Sequence, residues 1–272
     1  MELLKQVEEL AVNVSNKIIL PNITSVHATI KDDGSLVTDV DILAQNEISG
    51  QLVKLVDLPV LSEEMTELQQ QHVIDAESPD YWCVDPIDGT SNFVYGVPYW
   101  CVSIALIIGG QIKMGVVYDP NRDECFSASD CSVTTLNGRP LQADKKGQMT
   151  ELKHCLGLID FKRLPPVVAE KLVSDPPYRS QRSFGASALD LCWIAAQRCH
   201  LYLHGRQKLW DHAAGLMILK QAGGQAETFE GGTVFQNNLQ PKSVLAASSE
   251  LLMKKWKTYF LEINRREHEQ QA

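Results

Sequence analysis

Tyr81-Trp82-Cys83-Val84-Asp85-Pro86-Ile87-Asp88-Gly89-Thr90 joins a short apolar run to a turn loaded with carboxylates. Residues 81–84 have the composition of a buried strand, and Asp85-Pro86 is predicted to stop it. Beyond the strand, two aspartates three apart straddle a proline, and a glycine and a hydroxyl follow. Pro86 stiffens the turn, so Asp85, the Ile87 carbonyl and Asp88 can converge on one point. Oxygen-only ligands suit a hard cation such as magnesium rather than zinc. Gly89 permits close approach of the backbone to a ligand, and the N–H groups after it are placed to hold phosphate oxygens. Asp-Pro and Asp-Gly are also ordinary turn dipeptides; the load of carboxylates is what favours chemistry.

Outward from this segment, the pattern is mixed. Residues 2–19 carry Leu3, Leu4, Val7, Leu10, Ala11, Val14 and Ile18 at helical spacing. A polar loop around Lys31–Ser35 precedes Thr38 or Asp39, either able to cap a helix with Ile42, Leu43, Ile48, Leu52 and Leu55 on its buried side. Residues 59–62 read as a short strand, and 65–79 as a polar loop. Val102–Ile108 and Ile112–Tyr118 flank Gly109-Gly110, a hairpin signal; Glu124–Ala128 continues the sheet, and Asn137-Gly138 marks another turn. The second half alternates: strand 154–159, helix 186–197, strand 200–204, helix 211–222 ended by Gly223-Gly224, strand 243–247, and a last helix from about 248. Such alternation predicts a layered α/β body in one continuous unit of two abutting halves, 1–150 and 151–272. The first half carries most of the acidic candidates; the second supplies Asp211 and pocket residues.

Bulk properties narrow the function. The 272 residues are 44% hydrophobic and 22% charged, with a net charge of -9. That sign argues against broad nucleic-acid binding, which needs a cationic face. It also repels an anionic substrate unless a metal reverses the charge locally. The seven cysteines show no Cys-x-x-Cys spacing, and reduced, buried thiols in a cytoplasmic protein are the expectation. No apolar run reaches the roughly 18 residues of a membrane span, and acids interrupt the opening residues where a signal-peptide core would lie.

Two further acidic sites stand out. Ser62-Glu63-Glu64 follows an apolar strand, although adjacent acids are usually solvated. Trp210-Asp211-His212-Ala213-Ala214-Gly215 puts a carboxylate at a helix start, where capping alone would explain it, and His212 reads as packing or surface. Taken together, these motifs resemble the inositol monophosphatase family of lithium-sensitive, magnesium-dependent phosphatases. The resemblance runs from about residue 30 to 250, with Leu36-Val37-Thr38-x-x-Asp41, Asn92-Phe93 and Gly115-Val116-Val117-Tyr118-Asp119-Pro120 as further matches.

The resemblance implies a five-layered αβαβα sandwich, a homodimer, two or three Mg2+ ions, and hydrolysis of a small phosphate ester by metal-activated water. It implies metal ligands at Glu63, Asp85, the Ile87 carbonyl, Asp88 and Asp211. Asp41, Thr90 and Glu63 would help activate the water, and phosphate would lie against Asp88, Gly89 and Thr90. Gly185, Ala186 and Ser187 match a sugar-facing stretch; helix N-terminal packing is the other reading of them. Where the family has an inositol-binding glutamate, seven residues before Asp211, this chain has His204, and imidazole is no anionic acceptor. The expected substrate is an inositol monophosphate or related polyol or sugar phosphate. One alternative is a 3'(2'),5'-bisphosphate nucleotidase, whose loop Lys31-x-Asp33-x-Ser35-x-Val37-Thr38 resembles; His204 or Arg206 would then meet a second phosphate. Another is a regulatory binding role beside catalysis.

Overall fold

The computed structural model describes residues 2–23, 27–31, 36–141 and 149–271. Helix α1 (Glu2–Val14) continues through a π-helical stretch (Ser15–Ile19) into the single turn α2 (Leu20–Asn22). Pro21 gives the preceding turn no N–H, and Ser15 Oγ bonds back to the Ala11 carbonyl at 2.8 Å. Both loosen the helical ladder and widen it. Strands β1 (Ala28–Ile30) and β2 (Leu36–Thr38) pair antiparallel, and Thr38 caps α3 (Asp39–Leu55). The expected helix forms, and Ile48, Leu52 and Leu55 face the core as expected, but its first turns bury a different side. Val40, Asp41, Ala44, Ile48 and Leu52 point inward, whereas Ile42 and Leu43 are exposed.

Strand β3 (Val60–Ser62) forms as expected, but residues 65–79 are not all loop: Glu67–Ile74 is a helix, α4. Thr66 and Gln69 cap each other's backbone reciprocally, which starts the helix although only Gln70 in it is buried. Strand β4 (Tyr81–Asp88) runs past Val84 and takes the acidic turn into itself. A register shift between Asp85 and Asp88 spans Pro86, which has no ladder donor to lose. Then come α5 (Thr90–Val94), β5 (Cys101–Ile108), β6 (Gln111–Asp119), β7 (Glu124–Ser129), β8 (Thr135–Leu136) and β9 (Arg139–Pro140). Strands β3 to β9 make one seven-stranded sheet in chain order.

The second half holds β10 (Leu156–Ile159), a 3-10 turn (Phe161–Arg163), α6 (Pro166–Ser174), β11 (Ser180–Arg182), α7 (Ser187–Ala195) and β12 (Leu201–Gln207). Helix α8 (Leu209–Gln221), β13 (Gln225–Glu227), β14 (Lys242–Ala247) and α9 (Glu250–Gln271) follow. Its five-stranded sheet has the order β11-β10-β12-β14-β13, with β10 parallel to β11 and β12. Helix α6 and strands β11 and β13 had no counterpart in the sequence reading.

Side-chain alternation explains the layering. Trp82, Val84, Val102, Ile104 and Val116 face one way, into a core shared with α1 and α3. Tyr81, Cys83, Cys101, Ala105 and Val117 face the other way, onto Leu189, Leu191, Ala214 and Ile218 of α7 and α8. A third core lies beyond the five-stranded sheet, where Leu203 and Leu245 meet Leu172 of α6 and Trp256 of α9. Helices therefore sit outside, between and outside again, giving the expected αβαβα sandwich. Sheets buried on both faces carry near-continuous apolar runs rather than alternating polarity. All seven cysteines are free thiols, and Cys131 alone among them is exposed. Among the described residues no helix is long and apolar enough to cross a membrane.

Candidate active site

Parallel pairing of β3 with β4 sets Ser62 opposite Val84, so Glu63 leaves its strand beside Asp85. Asp85 Oδ1 accepts the Ile87 N–H at 3.1 Å, closing the turn across Pro86. Asp88 is directed at the other half of the chain. Its two oxygens accept the N–H groups of Ser187 (3.1 Å) and Ala188 (2.7 Å), capping α7, and the Cys101 thiol lies 3.6 Å away. Asp211 stands in the first turn of α8 and accepts the Lys208 N–H at 2.8 Å.

Helix α8 is clamped to the sheet by a missing side chain. A Cβ on Gly115 of β6 would lie 2.5 Å from the Ala214 carbonyl oxygen, so only glycine lets helix and strand backbones touch. In Trp210–Gly215, therefore, the small residues serve close approach of the helix. Gly89, at φ +96°, likewise abuts the Gly185 carbonyl and the Ala186 methyl. Asn92 secures that junction by donating to the carbonyls of Tyr99 (2.7 Å) and Phe184 (2.6 Å).

These acids lie close enough to feel one another's charge. Burial first, then the charges of Glu63, Asp88 and Asp211, push the Asp85 carboxyl well above its usual range. Asp211 rises through burial, then Glu63 and Asp88. Asp88 is raised to about 7, chiefly by burial, with the α7 N–H groups opposing. Asp41 is almost wholly buried and accepts from the Thr38 N–H at 2.8 Å and from its hydroxyl. Its other oxygen lies 3.5 Å from Thr90 Oγ, at the limit of a hydrogen bond. That hydroxyl is closer to the Ile87 carbonyl, at 3.1 Å. Burial raises Asp41 to about 6.

Lys31 brings a cation to this cluster. Lys31 Nζ lies 3.1 Å from Glu63 Oε1 and 2.7 Å from Glu64 Oε2. Glu64 is still raised to about 7, by burial and then by Glu63, and its Oε1 is buried without a partner. Among the described residues no three His, Cys, Asp or Glu side chains already form a closed metal cage. The donor set nonetheless fits a hard divalent cation: it is all oxygen, buried, and carries more negative charge than Lys31 offsets. Asp33 and Ser35 of the loop after Lys31 lie outside the described residues.

The pocket candidates divide. Gly185 is exposed and Ser187 half-buried, but Ala186 is fully buried against Gly89. His204 is buried with both ring nitrogens engaged: Nδ1 accepts the Arg206 N–H at 3.2 Å, and Nε2 lies 3.0 Å from Asp160 Oδ2. It has no nitrogen left for a ligand. Sequence reading missed Asp160 and Arg163, which join His204 only through strand pairing; Leu203 stands opposite Ile159.

Such a fold, with acids from β3, β4 and α8 gathered at one point, defines a phosphomonoesterase built on a layered sandwich. The chain belongs to the inositol monophosphatase family, whose profile matches residues 2–268. Nus factor SuhB of Pasteurella multocida is 34% identical over 213 residues, 76% of this chain and 77% of that protein. The inositol-1-monophosphatase of Mesorhizobium japonicum is 30% identical over 236 residues, 83% of each. The structure of inositol monophosphatase II of Staphylococcus aureus with inositol monophosphate bound superposes with a TM-score of 0.81. It is 25% identical, covering 99% of this chain and 97% of the other.

Proposed function

We propose that this protein is a magnesium-dependent phosphomonoesterase acting on a small polyhydroxylated phosphate ester, an inositol monophosphate or related polyol or sugar phosphate. What supports the reading is the gathering of Asp85, Asp88 and Asp211 around Glu63, acids distant in sequence whose carboxyls are held above their usual range first by burial and then by one another's charge. Glu63, Asp85, the Ile87 carbonyl, Asp88 and Asp211 would hold two or three Mg2+ ions, which supply Lewis acidity toward the phosphoryl oxygens and the attacking water. The bound inositol monophosphate of the S. aureus relative supports the substrate class.

The chain's own groups have separate tasks in this reading. Backbone N–H groups of Asp88, Gly89 and Thr90 orient the phosphate. Asp41, raised toward neutrality, accepts the proton of a water aligned by Thr90 Oγ, with Glu63 sharing that task. Attack on phosphorus breaks the ester P–O bond, and the alcohol leaves with a proton. Gly185 and Ser187 border the alcohol. The reading includes a homodimer and inhibition by lithium. Purified protein should release inorganic phosphate from inositol 1-phosphate or a sugar phosphate in Mg2+ and none in excess chelator. Equal rates with and without chelator reject it.

A further inference from the structure

Asp88 takes both of its backbone donors from the other half of the chain, so the amino end of α7 must be held against β4. Asn92, in α5 with Thr90, is placed to hold it. Its side-chain nitrogen carries two protons and gives one to each half: to the Tyr99 carbonyl at 2.7 Å and to the Phe184 carbonyl at 2.6 Å. Phe184 stands three residues before Ser187. Between them Gly185 turns at φ +86° beside the same amide, where a Cβ would lie 3.6 Å from Asn92 Nδ2. A carbonyl pinned next to such a turn fixes where α7 begins.

Tyr99 grips α7 from the other side. Its hydroxyl donates to Asp190 Oδ1 at 2.8 Å, one turn into the helix. Its ring centroid lies 4.6 Å from that of Phe184 and 5.1 Å from that of Trp193. Both Tyr99 and Asp190 are buried, so either one without the other would leave an unpaired polar group in the core. Asn92 holds the Tyr99 carbonyl, and the two residues act as one bracket. Among the described residues neither bonds to Glu63, Asp85, Asp88 or Asp211. Whatever they do to that cluster, they do through α7.

We propose that Asn92 and Tyr99 are positioning residues, which together set the α7 amides on Asp88 and so aim that carboxylate at a bound cation. The proposal rests on the phosphomonoesterase reading only for its catalytic consequence. Hydrogen exchange of the full chain in chelator tests the positioning itself. Asn92→Ala should speed exchange of the Ser187 and Ala188 amides about 10-fold or more, with β10 and β14 exchanging at wild-type rates. A merely structural loss would speed all of them alike. Tyr99→Phe should act in the same direction, and it decides on the same readouts should Asn92→Ala not fold. Asp190→Asn keeps an oxygen for the Tyr99 hydroxyl and should stay close to wild type where Asp190→Ala does not. Calorimetric titration with Mn2+ alone should show Asn92→Ala binding about 10- to 100-fold more weakly. Its turnover should then fall further at low Mg2+ than at saturating Mg2+. Unchanged exchange at Ser187 and Ala188, or exchange raised equally along the chain, overturns the proposal. So does wild-type Mn2+ affinity in a variant whose α7 amides have come loose. Wild type that binds Mn2+ but cleaves no ester rejects the phosphomonoesterase reading and leaves this proposal standing; wild type that binds no Mn2+ overturns both.

Discussion

Asp88 and Asp160 each accept three hydrogen-bonding contacts, yet their acidities move in opposite directions. Asp88 has two backbone N–H groups and a thiol, and burial still raises it to about 7. Burial also pushes Asp160 up, but His204 and the Arg163 guanidinium outweigh it and bring the carboxyl down to about 2. The number of hydrogen bonds is thus not the difference; their donors are, for Asp160 is held down first by the His204 hydrogen bond and then by the charges beside it. Asp160 has a cation beside it, whereas Asp88 faces Glu63, Asp85 and Asp211. One region is electrically finished within the chain; the other is completed only by something from outside.

The sharpest way to break this contrast is Asp85→Asn, which keeps the shape of the turn and removes one charge. Turnover should fall about 10²-fold or more if charge stabilisation dominates. Wild-type rates in saturating magnesium would mean that the acidic cluster is not the catalytic centre. A smaller effect is expected on the finished side. Asp160→Asn strips Arg163 and His204 of their common acceptor and should cost about 2 kcal/mol of stability, measured by denaturant unfolding. An unchanged midpoint would show that the cluster is slack.

The smallest effect concerns pH. Asp41, Glu64 and Asp88 bind protons up to about 6 to 7 when folded, against ordinary values of 3.8, 4.5 and 3.8. Between those limits the folded state holds more protons than the unfolded chain. Their contribution is therefore fully present below about pH 4 and lost as pH rises through about 7. Thermal melts in chelator should shift down by a few degrees from pH 5 to 8, on the order expected for a chain of this size. Magnesium should flatten or invert that trend. A melt that rises with pH in chelator would contradict the picture of uncompensated acids.

Much of this site was legible because the acids sit in short motifs with distinctive neighbours. Asp85–Thr90, Ser62–Glu64 and Trp210–Gly215 pointed to one centre through resemblance, and strand and helix positions followed from apolar runs and glycine turns. The misses have separate causes. Helix α4 had a readable start in Thr66 and Gln69, but it buries almost nothing, so no apolar period announced it. On α3 the inward stripe includes Asp41, an acid that hydrophobic patterning discards, and the eye moves to Ile42 and Leu43 instead. Asp160 and His204 lie on separate strands, and only the register of β10 against β12 unites them. No local pattern encodes that meeting.

The empty position at Gly115 reaches well past packing. Because helix α8 rests its own main chain on that residue, a single methyl group there would act as a wedge, tilting the helix whose first turn carries Asp211. On the proposed reading, catalysis would then be silenced from the far end of the lever with every acid still in the sequence. Anyone reshaping the pocket for a new ester has no freedom at this fulcrum.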